Sequence, residues 1–494
     1  MANFGPSYLV AAVASMGGLL FGYDIGVMAN VLEMDFFKSF FDNPSTGAQG
    51  VIVSFLTLGC FLGSLVAGQI TDIFSRKRSI LFASLVFIVG SVIQGASNGY
   101  GMLVAGRFIN GLAVGILSQA VPTYQSEVSA PQVRGRLISL QQWAITWGIA
   151  IAFWIGVGLN NVQSDQSWRV TLYLQAVPSA ILLAGMIFMP YSPRWLASKD
   201  RFDEALVVLA RLRSGGDTTD PEVMEELEAI KEGIRIDRES AKRGYTDLLK
   251  YPIKRRTGLG VLTQVLQQLT GINVIMYYAP RIFEQAGIGG GDAKLIATGV
   301  NGLVNVLATV PAILYVDKWG RRKTLIMGAI GTGTAYLILA LSIAIGGRVV
   351  RDEDGKKTVE MKSKGASYTG IVMVYIFVAS FAISWGPIGW IYPAEIFPMD
   401  IRAKATSVTT AANWLLNFVV GLAAPALIAS ITWGLYLIFT VFMYLAVVLV
   451  YFFYPETKGR TLEQMEIVFT GSIWAHKDFE RVENEIHKGK AEFS

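Results

Sequence analysis

Long apolar runs separated by short polar segments extend over most of the chain. Each run is close to the ~20 residues that an α-helix needs to cross a bilayer. Twelve runs are present, six on either side of a longer polar stretch, and they predict twelve transmembrane spans. The predicted spans are 8–30, 48–71, 79–98, 102–122, 137–159, 168–189, 259–283, 293–316, 324–346, 367–392, 404–428 and 434–454.

Lys and Arg are concentrated in the loops that follow spans 2, 4, 8 and 10 and in the polar stretch after span 6. Because cytoplasmic loops carry an excess of these residues, we expect these loops and both termini on the cytoplasmic side. One loop, 347–366, is also rich in Lys and Arg, although it follows span 9 and the alternation of successive loops places it on the outer side. Its acidic residues offset part of that charge.

The polar stretch after span 6 has the pattern of short soluble helices. Asp220 and Pro221 offer an N-cap and a first-turn proline, and apolar residues recur on both sides at helical spacing. We therefore expect helices against the cytoplasmic face of the bundle and disfavour a disordered linker. The predicted organisation is an N-terminal half, a cytoplasmic helical linker, a C-terminal half and a cytoplasmic tail, at 1–190, 191–257, 258–455 and 456–494.

Composition supports a membrane protein, with 52% hydrophobic and only 16% charged residues, where a soluble domain is nearer a quarter charged. The net charge of +5 does not indicate nucleic-acid binding, because the basic residues lie in the predicted loops. Cys60 is the single cysteine and both histidines lie in the tail. Without a metal cluster or a nucleophile–base pair, we expect no metal, no cofactor and no enzymatic activity. The predicted fold class is an all-α polytopic membrane protein.

The two halves repeat the same charged positions in their cytoplasmic loops. A parallel repeat of two six-helix halves predicts alternating access to a substrate near the midplane. The paired charges are candidate ion-pair latches at the cytoplasmic ends; the alternative, a topology signal alone, accounts for the arginines but not for the carboxylates. The candidates are Asp72, Arg76, Glu127 and Arg134 in the first half and Asp317, Arg321, Glu395 and Arg402 in the second.

Two ionisable residues lie inside apolar spans, Asp24 in span 1 and Arg107 in span 4. A charge at the centre of a bilayer costs at least ~2.5–3.5 kcal/mol, so its position needs a reason. If the two are close, Asp24 can ionise when bonded to Arg107 and take a proton when they separate. This pattern predicts a proton-coupling pair; the alternative is a permanent structural ion pair.

Side-chain amides also lie inside the spans, and two tryptophans accompany them, Trp390 and Trp414. An amide offers donors and acceptors together, as a sugar hydroxyl does, and an aromatic face suits the C–H face of a sugar ring. Singly, such amides more often join helices, but in both halves they favour an uncharged polyhydroxy ligand. The amides are Gln141, Gln142, Gln264, Gln267, Gln268, Asn273, Asn301, Asn305, Asn413 and Asn417.

Several stretches of the chain match a known pattern: Gly22-Tyr-Asp24, Gly68 to Arg78, Gly106-Arg107, Pro190 to Leu196, Gln267 to Tyr278, Asp317 to Arg322, Pro393 to Pro398 and Pro455 to Arg460. Through these stretches nearly the whole chain resembles the sugar porter family of the major facilitator superfamily. The stretches Tyr124 to Val128 and Leu140 to Gly148 look most like the fungal high-affinity glucose transporters. Two departures are Ser75, where the loop pattern usually has glycine, and Tyr191, where it usually has glutamate.

The resemblance implies transport of a monosaccharide, most simply glucose, across the plasma membrane, with Asp24 as the proton site tuned by Arg107. Uniporters also occur in the family, so facilitated diffusion stays as an alternative. Xylose transport and a glucose-sensing role are two further alternatives. Sugar and protons are the implied partners, and the oligomeric state is left open. The residues implied to contact the sugar are Gln142, Gln267, Gln268, Asn273, Asn305, Trp390, Asn413 and Trp414.

Overall fold

The computed structural model describes residues 5–129, 134–239, 244–251, 253–288, 291–351, 357–398, 401–458, 468–469 and 474–475. Within this part of the chain, twelve helical segments are long and apolar enough to cross a membrane, which confirms the predicted spans. In order, the spans are formed by helices Gly5–Val31, Thr46–Phe74, Arg76–Gly95, Tyr100–Val128, Arg134–Leu159, Gln166–Leu174 with Ala176–Phe188, Ile253–Leu269 with Ile272–Gln285, Gly291–Trp319, Arg321–Gly346, Lys364–Ile383 with Trp385–Ile396, Arg402–Ile431 and Gly434–Phe453.

Spans 6, 7 and 10 are each broken into two helices. The break in span 7 falls at Gly271, whose φ of +81° favours glycine, and a Cβ there would lie 2.7 Å from the Phe439 ring. The break in span 10 falls at Ser384, just before Pro387. The second helix of span 7 contains Pro280 but continues to Gln285, and its distortion lies at Tyr278, two residues before the proline.

Close packing within the N-terminal half depends on small residues, as it commonly does between membrane helices. Span 1 packs along span 5, and span 2 along span 4. A Cβ added at Gly22 would lie 1.9 Å from the Ile145 carbonyl oxygen of span 5. A larger residue at Gly22 would therefore push spans 1 and 5 apart, next to Asp24.

The two halves meet mainly where span 2 packs on span 11 and span 5 on span 8. The Ser407 hydroxyl donates to the Ser64 carbonyl oxygen at 2.6 Å, which ties span 11 to span 2. A Cβ at Gly302 would lie 2.8 Å from Ala150 Cα, so spans 5 and 8 approach closely. Spans 1 and 7 also touch.

Helices Pro193–Ser198, Phe202–Arg213 and Pro221–Glu239, followed by the 3-10 helix Tyr245–Leu249, lie between spans 6 and 7. The Asp220 carboxylate accepts from the Glu222 backbone N–H at 2.8 Å, as an N-cap should. Arg213 joins these linker helices to the bundle, because its Nη1 donates at 3.0 Å to both the Ser7 hydroxyl and the Val128 carbonyl oxygen.

We call the end of the bundle that carries these linker helices the inner end, and the opposite end the outer end. The outer end carries the short helix Asp35–Phe40 and an antiparallel hairpin of strands Gly347–Arg351 and Lys357–Met361. The hairpin lies in the basic loop that the sequence pattern identifies only as a connection, and it is a small addition to an otherwise helical fold.

Candidate transport site

Asp24 and Arg107 form an ion pair in the N-terminal half, where both side chains are fully buried. Arg107 Nη1 donates to Asp24 Oδ1, and Arg107 Nε donates to the Ile52 carbonyl oxygen of span 2 at 3.2 Å. The guanidinium therefore holds together spans 1, 2 and 4. Removing one member of a buried pair strands the other charge, at a cost of about 3–5 kcal/mol.

The ion pair also faces the C-terminal half. Tyr277 of span 7 and Cys60 of span 2 lie within electrostatic reach of both charges. The Tyr277 hydroxyl donates to Asn417 Oδ1 of span 11 at 3.3 Å. A change of charge at Asp24 is therefore felt by the half that carries most of the amides.

Five of the intramembrane amides form a connected network across the break in span 7. Asn413 Nδ2 donates to Gln264 Oε1 at 2.5 Å and to Gln267 Oε1 at 2.7 Å. Gln268 Nε2 donates to Asn413 Oδ1 at 2.9 Å, and Asn273 Nδ2 donates to Gln268 Oε1 at 2.5 Å. Because the chain turns at Gly271, residues on the two helices of span 7 face each other and span 11 closes the network.

The same network reaches the break in span 10. Gln267 Nε2 donates to the Trp385 carbonyl oxygen at 2.8 Å and to that of Gly386 at 3.3 Å. From the other half, Gln142 of span 5 approaches the same point, since a Cβ at Gly386 would lie 3.4 Å from Gln142 Nε2. Gln142 is partly buried and its Oε1 has no hydrogen-bond partner among the described residues. Gln142 and Gln267 thus approach Gly386 from opposite halves.

The remaining candidates for sugar contact are Trp414, Asn305 and Trp390. Trp414 of span 11 packs its ring edge to face with Phe21 of span 1, with centroids 5.1 Å apart, and its Nε1 lies 3.4 Å from the Ser118 hydroxyl of span 4. Asn305 is buried in span 8, and Trp390 is partly buried in span 10. The structure brings Gln142, Gln267, Gln268, Asn273 and Asn413 into one connected region, with Trp414 spanning the two halves.

At the inner end of the N-terminal half, Arg76 binds two carboxylates. It lies 2.9 Å from Asp72 Oδ1 and 3.0 Å from Glu127 Oε1. The Asp72 side chain is 55% exposed and the Glu127 side chain only 11%. Glu127 also accepts from the Ser192 hydroxyl at the start of the linker helices. Glu127 is therefore the better-ordered partner of Arg76.

The C-terminal half repeats this arrangement. Arg321 Nη2 lies 2.6 Å from Glu395 Oε1, and Thr457 Oγ1 donates to Glu395 Oε2 at 2.7 Å. Arg402 donates to the Phe397 carbonyl oxygen at 3.0 Å. Each of these ion pairs joins residues of one half. The side chains of the other two latch candidates, Arg134 and Asp317, lie outside the described residues.

The sequence analysis missed a charge cluster that joins the halves at the outer end. Glu33 Oε1 lies 3.0 Å from Arg281 Nε of span 7, and Glu33 Oε2 lies 3.2 Å from Lys294 Nζ of span 8. Lys38 adds a third cation at 3.2 Å, and Arg281 Nη2 donates to Gln49 Oε1 of span 2. Burial raises the pKa of the Glu33 carboxyl, but these three cations outweigh it and lower the pKa to about 2.

The fold and these sites define a transporter of the major facilitator type. A solved structure of the proton:xylose symporter XylE, bound to 6-bromo-6-deoxy-D-glucose, is similar to this chain with a TM-score of 0.80. The two are 28% identical, and the likeness covers 94% of this chain and 99% of that one.

Sequence comparison gives the family. The model of the family described as sugar (and other) transporter matches residues 10–469. The chain is 39% identical to an MFS glucose transporter of Aspergillus flavus, over 98% of this chain and 94% of that protein. It is 37% identical to a high-affinity glucose transporter of Kluyveromyces lactis, over 94% and 85% respectively. The chain therefore belongs to the sugar transporter family of the major facilitator superfamily.

Proposed function

We propose that this sugar transporter carries a neutral monosaccharide, glucose or another hexose, by alternating access and couples its movement to protons through Asp24 and Arg107. The observation that carries the proposal is the pairing of two sites. A fully buried ion pair in one half lies within electrostatic reach of Tyr277 on span 7, and span 7 carries most of the amide network of the other half.

We assign the sugar to the region beside Gly386, which Gln142 and Gln267 approach from the two halves. Both are amides beside the broken helix of span 10, and the unpartnered Gln142 Oε1 is available to accept from a sugar hydroxyl. Gln268, Asn273 and Asn413 extend the same surface with donors and acceptors in alternation. An uncharged ligand fits this surface because amides satisfy hydroxyls without leaving a buried charge unpaired.

Coupling follows from the charge balance at Asp24. Ionised Asp24 attracts Arg107 and holds spans 1, 2 and 4 together through the Ile52 contact. Protonation of the Asp24 carboxylate removes that attraction, and Arg107 then keeps only its hydrogen bond to the Ile52 carbonyl oxygen. Tyr277 lies within reach of both charges, so the change is passed to span 7 and its amides.

The same proposal covers topology and organisation. The inner end is assigned to the cytoplasm, with both termini, because its loops carry most of the basic residues. Residues 1–190 and 258–455 are the two moving halves, with 191–257 as a linker and 456–494 as a tail. The ion pairs of Arg76 and Arg321 then stabilise the inner end of each half during the movement.

Labelled glucose uptake by the purified protein in liposomes tests the proposal. Accumulation that requires an inward proton gradient and collapses with a protonophore supports symport. Equilibration of glucose at a rate that does not depend on the proton gradient supports facilitated diffusion, with Asp24–Arg107 as a structural ion pair. Uptake of xylose without glucose makes the substrate a pentose, as the name of the similar symporter XylE suggests. Binding without flux of either sugar supports a sensor.

A further inference from the structure

Buried polar atoms without partners are concentrated beside the Asp24–Arg107 pair. Asp24 Oδ2, Arg107 Nη2, Asn110 Oδ1 and both amide atoms of Gln94 have no hydrogen-bond partner within the described part of the chain. All four side chains are fully buried. Buried polar groups are almost always satisfied by protein or by water, so such a concentration needs an explanation.

These four residues lie next to one another between spans 1, 3 and 4. Asn110 of span 4 is close enough to the Asp24 carboxylate to interact with it, and its Nδ2 donates to the Ser91 hydroxyl of span 3 at 3.2 Å. One turn further along both helices, a Cβ at Gly106 would lie 2.7 Å from Gln94 Cγ. The residues with unpaired atoms therefore follow one another along spans 3 and 4, from Gln94 beside Gly106 through Asn110 to the ion pair.

From this arrangement we propose that spans 1, 3 and 4 enclose a hydrated pocket whose water molecules bind Asp24, Asn110 and Gln94. Amide and carboxylate oxygens, an amide N–H and a guanidinium N–H supply the two to four polar partners that a buried water molecule needs. The titratable groups within electrostatic reach of Asp24 are Arg107 from span 4, Cys60 from span 2, Tyr277 from span 7 and the adjacent Tyr23. Arg107 is the one fixed charge among these four.

The pocket points toward the outer end of the bundle. Gln94 is the last residue but one of its helix, which ends at Gly95, and the Ser97 hydroxyl beyond it is also buried and unpartnered. Asp24 lies seven residues before the end of its own helix at Val31, or about 10 Å along the axis. Water molecules in the proposed pocket would therefore connect Ser97 to Asp24 over a short distance that is lined by buried polar atoms.

This route is separate from the proposed sugar site, which lies among spans 5, 7, 10 and 11. It deepens the proposed function, on which it rests: protons from the outer side reach Asp24 through spans 3 and 4 rather than past the bound sugar. Arg169 lies near Ser97, at the outer end of the proposed pocket. Hydrogen bonds to the Gly95 and Ser97 carbonyl oxygens, at 2.9 and 3.0 Å, hold its guanidinium in that position.

Two measurements test the pocket. A structure of the full chain at a resolution that reveals water is expected to show ordered molecules within hydrogen-bond distance of Asp24 Oδ2 and Asn110 Oδ1; a dry, fully packed interior at these atoms overturns the proposal. The second measurement is glucose-driven proton uptake into liposomes by Gln94→Leu, which replaces an amide by an apolar side chain of similar size. We expect proton uptake to fall about tenfold while glucose counterflow stays within twofold.

Control variants separate the pocket from a general packing defect. Gln94→Ser leaves room for another water molecule and should keep most of the proton uptake. Ser84→Ala, a buried position on the same face of span 3 that bonds its own helix, should change neither flux. Equal losses of both fluxes in Gln94→Leu, or none, contradict the proton route. If the unaltered protein takes up no protons with glucose, the coupling proposal fails, and the ordered water alone decides whether the pocket exists.

Discussion

Arg281 and Glu33 form an ion pair across the two halves of the transporter, with Arg281 Nε 3.0 Å from Glu33 Oε1. Glu33 follows span 1 and Arg281 lies near the end of span 7, so the pair closes the outer end where spans 1 and 7 meet. The Glu33 side chain is only 9% exposed, and its carboxylate also forms an ion pair with Lys294 of span 8. In the proposed alternating-access cycle, opening of the outer end would break these contacts.

Glu33→Gln should therefore open the outer end more often. The three cations lower the pKa of Glu33 from its ordinary 4.5 to about 2, which limits the stabilisation of the closed form to roughly 3 kcal/mol. A cysteine at Gly421, where a Cβ has no neighbour nearer than 3.8 Å, reports opening through its rate of labelling by an impermeant maleimide in a Cys60→Ser background. Labelling should accelerate several-fold in Glu33→Gln.

The pH dependence of that labelling has a defined sign. Because the pKa of Glu33 is depressed in the closed form, the stabilisation is complete above about pH 4.5 and is lost as the pH falls toward 2. The ratio of the labelling rates in Glu33→Gln and in the parent protein should thus be constant from pH 5 to 8, because the thiolate fraction of the reporter cysteine changes equally in both. Glu284→Gln, which removes the 56% exposed second partner of Lys294, is the matched control and should have little effect. Equal labelling in both variants would contradict the closing role of Glu33.

Gln267→Ala should weaken sugar binding about tenfold, because it removes a buried amide that bonds Asn413 and the backbone at Trp385, and a hydroxyl left without its partner costs about 1–3 kcal/mol. Equilibrium binding of labelled glucose measures the effect. Gln125→Ala is the control: Gln125 is a buried amide that bonds Ser15, away from the network, so affinity should be unchanged. An unaltered affinity in Gln267→Ala would remove this residue from the sugar site.

The inner ion pairs should affect turnover more than binding, and unequally. Asp72 is 55% exposed, whereas Glu127 is 11% exposed and also binds Ser192. Since exposed ion pairs contribute about 0–1 kcal/mol, Glu127→Gln should slow glucose counterflow several-fold and Asp72→Asn less than twofold. Maximal rates and half-saturating concentrations are measured together. A loss of affinity at an unchanged maximal rate would argue against a latch.

Ser75→Gly should stabilise the protein. Ser75 has a φ of +89° and a ψ of 154°, a conformation that costs a non-glycine residue about 1–3 kcal/mol, while losing its cap to the Arg78 N–H costs only a few tenths when glycine replaces it. We expect the apparent melting temperature to rise by a degree or two. Gly320 has a φ of +84° at the matching turn of the second half, so Gly320→Ser should lower it. A lower apparent melting temperature in Ser75→Gly would contradict the conclusion that the backbone at Ser75 is strained.

The spans and several site residues could be predicted because their signals are local. Twelve apolar runs of helical length define the spans. An isolated charge in an apolar span has few possible partners, which is why the amino-acid sequence is enough to pair Asp24 with Arg107. Their roles in coupling stay predictions.

The outer cluster could not be predicted in the same way. Glu33 lies just beyond an apolar run and looks like an ordinary loop residue, and its partners Arg281 and Lys294 are 248 and 261 residues away in the sequence. Only the packing of the halves brings them together. Asn110 and Gln94 did have a local signal, as amides in or near the apolar runs of spans 4 and 3, but their sequence neighbours are ordinary apolar and small residues.

Glucose-evoked charge movement in Asp24→Asn tests the central claim most directly. Asparagine keeps the shape of the side chain but cannot release a proton. On a membrane-supported electrode, the unaltered transporter should give an inward current on addition of glucose, larger as the outer pH falls from 8 to 6. Asp24→Asn should give no current while glucose counterflow in liposomes continues. A glucose current of normal size in Asp24→Asn would contradict proton coupling through this residue.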